Sequence, residues 1–272
     1  MRESATFEYR GVSITYSELP DSTSNLLFGN VCWPAAETLA RLIIDEAKGG
    51  AKVWTPEACA HLGVPLEAML SRRFGVAISA PPSPSALTRL GLTSILPSMA
   101  SGTRVLEVGA GVGITGLACH ALGADVLLTD GEARLVDHGR RCHAAAAAES
   151  GRLRFAMLDW HADASADTEA PFELILGCEV LNPACQGEVH VPRLVARRLA
   201  RSAGARCLLL SDVRRVETCA TAVRELAACG LGVAAFRVCN GRELVEVQLD
   251  TLVEVDATLL LVASWPPPDG NV

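Results

Sequence analysis

The segment RVLEVGAGVGITG, residues 104–116, constrains this chain more than any other. Arg104 to Val108 reads as a short apolar strand that runs into a glycine turn and then a helix. Glycines stand at 109, 111 and 113, where a backbone without Cβ can turn tightly and approach a ligand. The helix behind the turn presents free N–H groups. A second buried-looking strand, ADVLLTD at 124–130, ends in Asp130, and a carboxylate at a strand tip can take both hydroxyls of a ribose. Together these features describe a pocket for an adenosine-containing cofactor. The alternatives are a tight strand-to-helix turn with no ligand, and a nicotinamide or flavin site.

Spacing separates these readings. The dinucleotide fingerprint G-x-G-x-x-G requires a third glycine where Ile114 stands. The residues follow G-x-G-x-G, with Glu107 two positions before the first glycine. That arrangement resembles motif I of class I, seven-strand S-adenosylmethionine methyltransferases, in which the glycine turn faces the methionine and ribose parts of the cofactor.

Composition bounds the remainder. The 272 residues allow one large domain or one domain with an elaboration, and a half-hydrophobic chain has ample material for a core. Aromatics are scarce, so the packing is expected to be aliphatic. A net charge of −7 with no basic run argues against nucleic acid and suits a basic partner. Cys119, Cys142, Cys207, Cys219, Cys229 and Cys239 fall inside apolar strand or helix patterns, and no C-x-x-C pair occurs. Scattered thiols of this kind read as small core residues in a reducing compartment, and no metal site is expected. The first ten residues lack the apolar core of a signal peptide, and no apolar run reaches membrane-spanning length. The expectation is a soluble monomer in the cytoplasm or nucleus.

From residue 104 onward strands and helices alternate, the signature of a doubly wound, mostly parallel α/β sheet. The pattern places strands at 104–109, 125–130, 152–158, 172–178 and 205–211. Helices are expected over 113–122, 132–149, 189–202 and 215–229. Three β-like segments at 232–239, 243–250 and 257–264 follow without a long helix between them. Residues 6–16 alternate as an N-terminal hairpin or edge strands, and Pro34 opens a helix whose Leu39, Leu42 and Ile43 share one apolar face. The division is therefore 1–48, an N-terminal hairpin and helix; 49–103, an inserted, partly helical loop with a capped helix at Thr55–Leu62 and prolines at 81–84; 104–265, the sheet; and 266–272, a tail.

Several segments in this order carry a more specific resemblance: F-x-Y-x-G-x-x-I at 7–14, WPAAETL at 33–39, motif I, LDW at 158–160 and E-x-x-L-G-C-E-V at 173–180. The chain resembles the methyltransferase-like group of seven-strand protein methyltransferases, which holds many lysine methyltransferases. That resemblance implies a Rossmann-like seven-stranded sheet with a terminal antiparallel hairpin, S-adenosylmethionine as cofactor and a protein substrate. It implies that Glu107, Gly109, Gly111 and Gly113 line the methionine and ribose side, and that Asp130 holds the ribose hydroxyls. Asp159 would accept from the adenine amino group with Trp160 beside the ring, Trp33 would pack at the cofactor's edge, and Cys178 would line the same pocket. Trp160 also suits a core position, and Trp33 a plain helix-start anchor.

Two departures bear on the acceptor. Where the family typically has Asp-x-x-Tyr after the fourth strand, this chain has Glu179-Val-Leu-Asn182. Arg141, Cys142 and His143 replace the asparagine common in the second helix. Glu179 is read as docking a cationic acceptor and Asn182 as supplying an acceptor oxygen. Asn182-Pro183 begins like the (Asp/Asn)-Pro-Pro-aromatic motif of other amino-methyltransferases, but Ala184 and Cys185 follow. The leading expectation is methyl transfer to protein lysine, with arginine open. A small-molecule methyltransferase and a catalytically silent binding subunit are the alternatives.

Overall fold

Strands with apolar residues on both faces need a covering layer on each side, and the pattern from residue 104 onward supplies helices for both. The computed structural model describes residues 4–19, 29, 31–49, 52–54, 86–90, 92–97, 99, 101–161, 170–202, 204–239, 243–247 and 257–267. A hairpin of β1 (Ala5–Tyr9) and β2 (Val12–Tyr16) leads to α1 (Pro34–Ala47). Then come β3 (Lys52–Trp54), the single turn α2 (Ala86–Arg89), β4 (Arg104–Val108), α3 (Ile114–Ala121) and β5 (Asp125–Asp130). Helices α4 (Ala133–Cys142) and α5 (Ala144–Ser150) precede β6 (Leu153–Met157) and β7 (Leu174–Cys178). A 3₁₀ turn at Pro183–Cys185 opens into α6 (Gly187–Arg198), followed by β8 (Arg206–Asp212), α7 (Val216–Ala228), β9 (Gly232–Cys239), β10 (Glu243–Glu246) and β11 (Thr258–Ser264).

Among the described residues the main sheet runs β3-β10-β9-β11-β8-β7-β4-β5-β6. Pairing is parallel from β6 through β5, β4 and β7 to β8, and antiparallel from β8 through β11 and β9 to β10. The doubly wound α/β expectation therefore holds, with nine strands rather than seven. The reason lies at one edge: β10 pairs back on β9, and Lys52–Trp54 then adds in parallel to β10. Chain order reverses between β4 and β7, and open α/β sheets bind ligands at the carboxyl ends of strands flanking such a reversal.

One face of the sheet is covered by α1, α3 and the hairpin, with Leu39, Leu42 and Ile43 of α1 fully buried beside Ile114 and Leu117. The other face carries α6 and α7 through Val191, Leu194, Val195, Ala222 and Leu226. The apolar face expected for α1 is thus the one it buries. Tyr9 Oη and Arg10 Nη1 both donate to the buried Asp45, each at 2.8 Å, and so tie the hairpin to α1.

Three expectations need correction. The helix placed over 132–149 is two helices, because His143 leaves helical geometry at φ −113°, ψ 19°. Cys142 is exposed and Cys229 half-buried, whereas Cys119, Cys207, Cys219 and Cys239 lie in the interior. The segment at 49–103 is not simply a loop: Lys52–Trp54 extends the sheet, and Leu87, Leu92, Ile95 and Leu96 are buried in the core. The helix at Thr55–Leu62 and the prolines at 81–84 lie outside the described residues. Among those described, no helix is long and apolar enough to cross a membrane.

Candidate active site

A cavity of about 750 Å³ opens at the carboxyl ends of β4, β5, β7 and β8. Trp33, Glu107, Gly109, Gly111, Asp130, Asp159, Trp160, Cys178, Glu179 and Asn182 all line it. Gly113 does not. It stands at φ 80° as the N-cap of α3, and a Cβ there would press on Leu128 at 3.1 Å, so its role is to turn the chain.

The turn after β4 is held by its neighbours. Ala110 N donates to the Thr129 carbonyl at 2.8 Å, and Gly111 N donates to Asp130 Oδ2 at 3.0 Å. The other carboxylate oxygen of Asp130 accepts from Glu132 N at 3.0 Å. Gly131 N also donates to this carboxylate, whose roughly four lone-pair sites still leave one for a ligand hydroxyl. Burial pushes the Asp130 carboxyl up, against the lowering effect of these N–H groups. A side chain at Gly109 would meet Val180 Cγ1 at 2.8 Å and Trp160 Cζ2 at 3.1 Å, so both residues close on the turn there. At Gly111 the close approach is to the chain itself: a Cβ would stand 2.8 Å from the Gly29 carbonyl oxygen. The segment entering α1 thus lies across the turn, a contact that sequence reading had assigned to the ligand.

Glu107 is 2% exposed. Its Oε2 accepts from Gly116 N at 2.7 Å, and burial raises its pKa to about 8, with the nearby Asp130 charge adding to the rise. Asp159 is exposed and accepts from His161 N at 2.9 Å. Trp160 is partly buried against the core cluster that α6 joins and also lines the cavity. Among the described residues its Nε1 is buried without a hydrogen-bond partner, as is Ser211 Oγ on the opposite wall.

The far side of the cavity differs. Glu179 follows β7 at φ 54°, a left-handed conformation uncommon for a residue with a side chain. Its Oε1 accepts from Asp212 N at 2.6 Å, and Oε2 lies 3.5 Å from Arg214 Nη2. Burial pushes this carboxyl up, with Asp212 N and Arg214 opposing. The Arg214 guanidinium also sits 5.6 Å from the centre of the Trp33 ring. Asn182 Oδ1 accepts from Ala184 N at 3.0 Å and caps the 3₁₀ turn, so the oxygen expected to face the acceptor is engaged locally. Burial pushes the Cys178 thiol up, which disfavours the thiolate.

Sequence reading missed Gly29, His161, Ser211, Arg214 and Arg215, all of which line the cavity. His161 follows directly on the LDW segment and could have been noticed there; its ring lies 4.1 Å from that of His190. Ser211 stands one residue before the end of β8, the strand next to β7, which is a signal of position alone. Nothing local in the sequence marks Gly29, Arg214 or Arg215.

An open, mostly parallel sheet with a glycine turn at its reversal point and carboxylates at the neighbouring strand ends defines a nucleoside-binding α/β enzyme. A family model described as lysine methyltransferase matches residues 18–186, and the chain belongs to that family of methyltransferases. The match includes every sequence-predicted site residue and stops short of Ser211, Arg214 and Arg215. No curated protein matches the chain by sequence. Among solved structures, the chain is similar to a TehB-like S-adenosylmethionine-dependent methyltransferase from Corynebacterium glutamicum, at 20% identity and TM-score 0.43 over 61% of this chain and 82% of that one. It is similar to the glycopeptide N-methyltransferase MtfA in complex with S-adenosylmethionine, at 16% identity and TM-score 0.47 over 62% and 83%. Aeropyrum pernix fibrillarin with bound S-adenosylmethionine gives 15% identity and TM-score 0.45 over 66% and 73%. Likenesses this distant assign no residue a role.

Proposed function

We propose that this chain transfers a methyl group from S-adenosylmethionine to the side-chain nitrogen of a protein lysine. The observation that carries the reading is the joining of two unlike walls in one cavity: Asp130, Gly109 and Trp160 on one, and on the other Glu179 and Trp33, with the Arg214 guanidinium near both.

The cavity suits the cofactor on its own chemistry. Asp130 retains acceptor capacity for a hydroxyl donor, and two buried polar atoms, Trp160 Nε1 and Ser211 Oγ, lack partners among the described residues. When bound, S-adenosylmethionine supplies a methyl group activated by a sulfonium. The residues present do the rest by placement. Asp130 would hold the ribose hydroxyls and Asp159 the adenine amino group, with Trp160 against the ring. Glu107, its pKa near 8, is largely protonated at neutral pH and adds little negative charge to the buried end.

A lysine must arrive neutral to present its lone pair, and free lysine has a pKa of about 10.4. Glu179 would dock the ammonium at the mouth, and the apolar wall of Val180, Leu181 and Trp33 then favours the neutral amine. Positioning and exclusion of water supply the catalysis, with no nucleophilic side chain in the enzyme.

Incubation with methyl-labelled S-adenosylmethionine and cell extract tests this. Label is expected in a protein band and, after hydrolysis, in methyl-lysine. Label in methyl-arginine would change the acceptor residue, and label in the metabolite fraction would make this a small-molecule methyltransferase. Cofactor binding with no transfer at all would make it a binding subunit.

A further inference from the structure

Glu179 does not stand as an open anion in the cavity. Its backbone is fixed at φ 54°, its Oε1 is held by Asp212 N, and its side chain is 16% exposed. The partner of its other oxygen, Arg214, has a side chain 64% exposed. Arg214 follows β8 and reaches Glu179 after β7 and the Trp33 ring at the start of α1. A cation over an aromatic face and beside a carboxylate is the combination that would hold a lysine ammonium. Here the chain's own guanidinium occupies it.

We infer that Arg214 is a specificity-determining residue of the acceptor pocket, holding on Glu179 and Trp33 the place that a cationic acceptor side chain must take from it. This rests on the reading of the pocket as one for a basic side chain. The anchored partner and the exposed one have unequal roles. Glu179 stays, and Arg214 exchanges with the acceptor, because an ion pair with one member so exposed is weakly held. A neutral group gains nothing from Glu179 and has no means of displacing the guanidinium, so the exchange selects for positive charge.

The test is a titration of the purified chain, with and without S-adenosylhomocysteine, by n-butylammonium chloride and by neutral n-butanol, followed by NMR. Arg214→Ala and Arg214→Gln are expected to bind n-butylammonium roughly fivefold tighter than the wild type, the scale of an exposed ion pair. Arg214→Lys should behave as the wild type. Arg214→Ala combined with Glu179→Gln should lose the gain, and butanol binding should be the same throughout. Unchanged or weaker n-butylammonium binding in both Arg214→Ala and Arg214→Gln would overturn the inference. A fall in S-adenosylhomocysteine affinity in those variants would also overturn it, making Arg214 a clamp on the cofactor. Because no methyl transfer is read, this outcome is independent of the extract assay, and the two readings can fail separately.

Discussion

On one wall of the cavity Asp130 ends β5 and grips the turn after β4 through Gly111 N, while its other oxygen holds Glu132 N just beyond it. On the opposite wall Glu179 stands in a left-handed conformation after β7 and takes its partners from Asp212, the last residue of β8, and from Arg214 just beyond it. The first wall is made of strand ends and backbone N–H groups, and a neighbouring parallel strand is enough to fix it. The second shares one such N–H, that of Asp212, and depends besides on the Arg214 side chain reaching across from beyond β8. Two such walls should respond separately to substitution, the first through cofactor affinity and the second through transfer to the acceptor.

The sharpest break is expected at Gly187. A Cβ there would collide with the Val180 carbonyl oxygen, which is backbone and cannot rotate away. Gly187→Ala must therefore displace the Val180–Asn182 segment or the start of α6. Methyl transfer should fall about a hundredfold or more, equivalent to ~2.7 kcal/mol of barrier, while cofactor affinity changes little. Turnover alongside calorimetric titration reads both, with thermal melting to establish that the variant is folded. A parallel loss of cofactor affinity would show that the two walls are one unit.

Asp130→Ala is the counterpart on the first wall. It removes the acceptor for Gly111 N and Glu132 N together with the proposed partner of the ribose hydroxyls. Cofactor binding should weaken by ~1.5–3 kcal/mol, the scale of hydrogen bonds to a charged group. Asp130→Asn keeps one oxygen acceptor and should lose less. If calorimetry finds the same affinity in all three proteins, Asp130 serves the turn alone.

The same contrast explains what could be read from the sequence. Glycine spacing, strand-ending carboxylates and the apolar face of α1 are local patterns, and they mark the strand ends, turn and helix found here, although Gly113 stays out of the cavity. Glu179 and Asn182 line the cavity, and a motif position marks them, but their partners are not legible in the sequence. Whether Arg214 reaches Glu179 depends on how two loops meet across β7 and β8, which no local period encodes. Gly29 was missed for the same reason: its contact with Gly111 joins distant parts of the chain. The segment at 243–250 is legible as β-like and forms β10, whereas Lys52–Trp54, with three residues, is too short to show a period.

Glu179→Gln should act on the second wall with a smaller effect than Gly187→Ala. It leaves an oxygen for Asp212 N and removes the charge that Arg214 and the acceptor share. Methyl transfer should fall about tenfold, corresponding to ~1.4 kcal/mol, at nearly constant cofactor affinity. Wild-type turnover in this variant would remove Glu179 from acceptor docking, and lost cofactor affinity would move it to the first wall.

The smallest effect separates a structural role from a binding one at Glu107, which lies deepest between the walls. Burial raises its pKa from an ordinary 4.5 to about 8. Between those values the folded state binds more protons than the unfolded state, so this group's contribution to stability declines as pH rises. It is fully present below about 4.5 and is lost as pH climbs through about 8, where the carboxylate must ionise in the interior. Glu107→Gln carries no proton to lose, and its amide oxygen can still accept from Gly116 N. The variant should therefore melt close to the wild type at pH 5 and above it at pH 9, by about 2–4 °C for each kcal/mol of relief. Equal melting temperatures at both values would mean that Glu107 titrates as an ordinary carboxyl and that water reaches it. A gain at pH 9 accompanied by weaker cofactor binding at neutral pH would give Glu107 a direct share in the first wall.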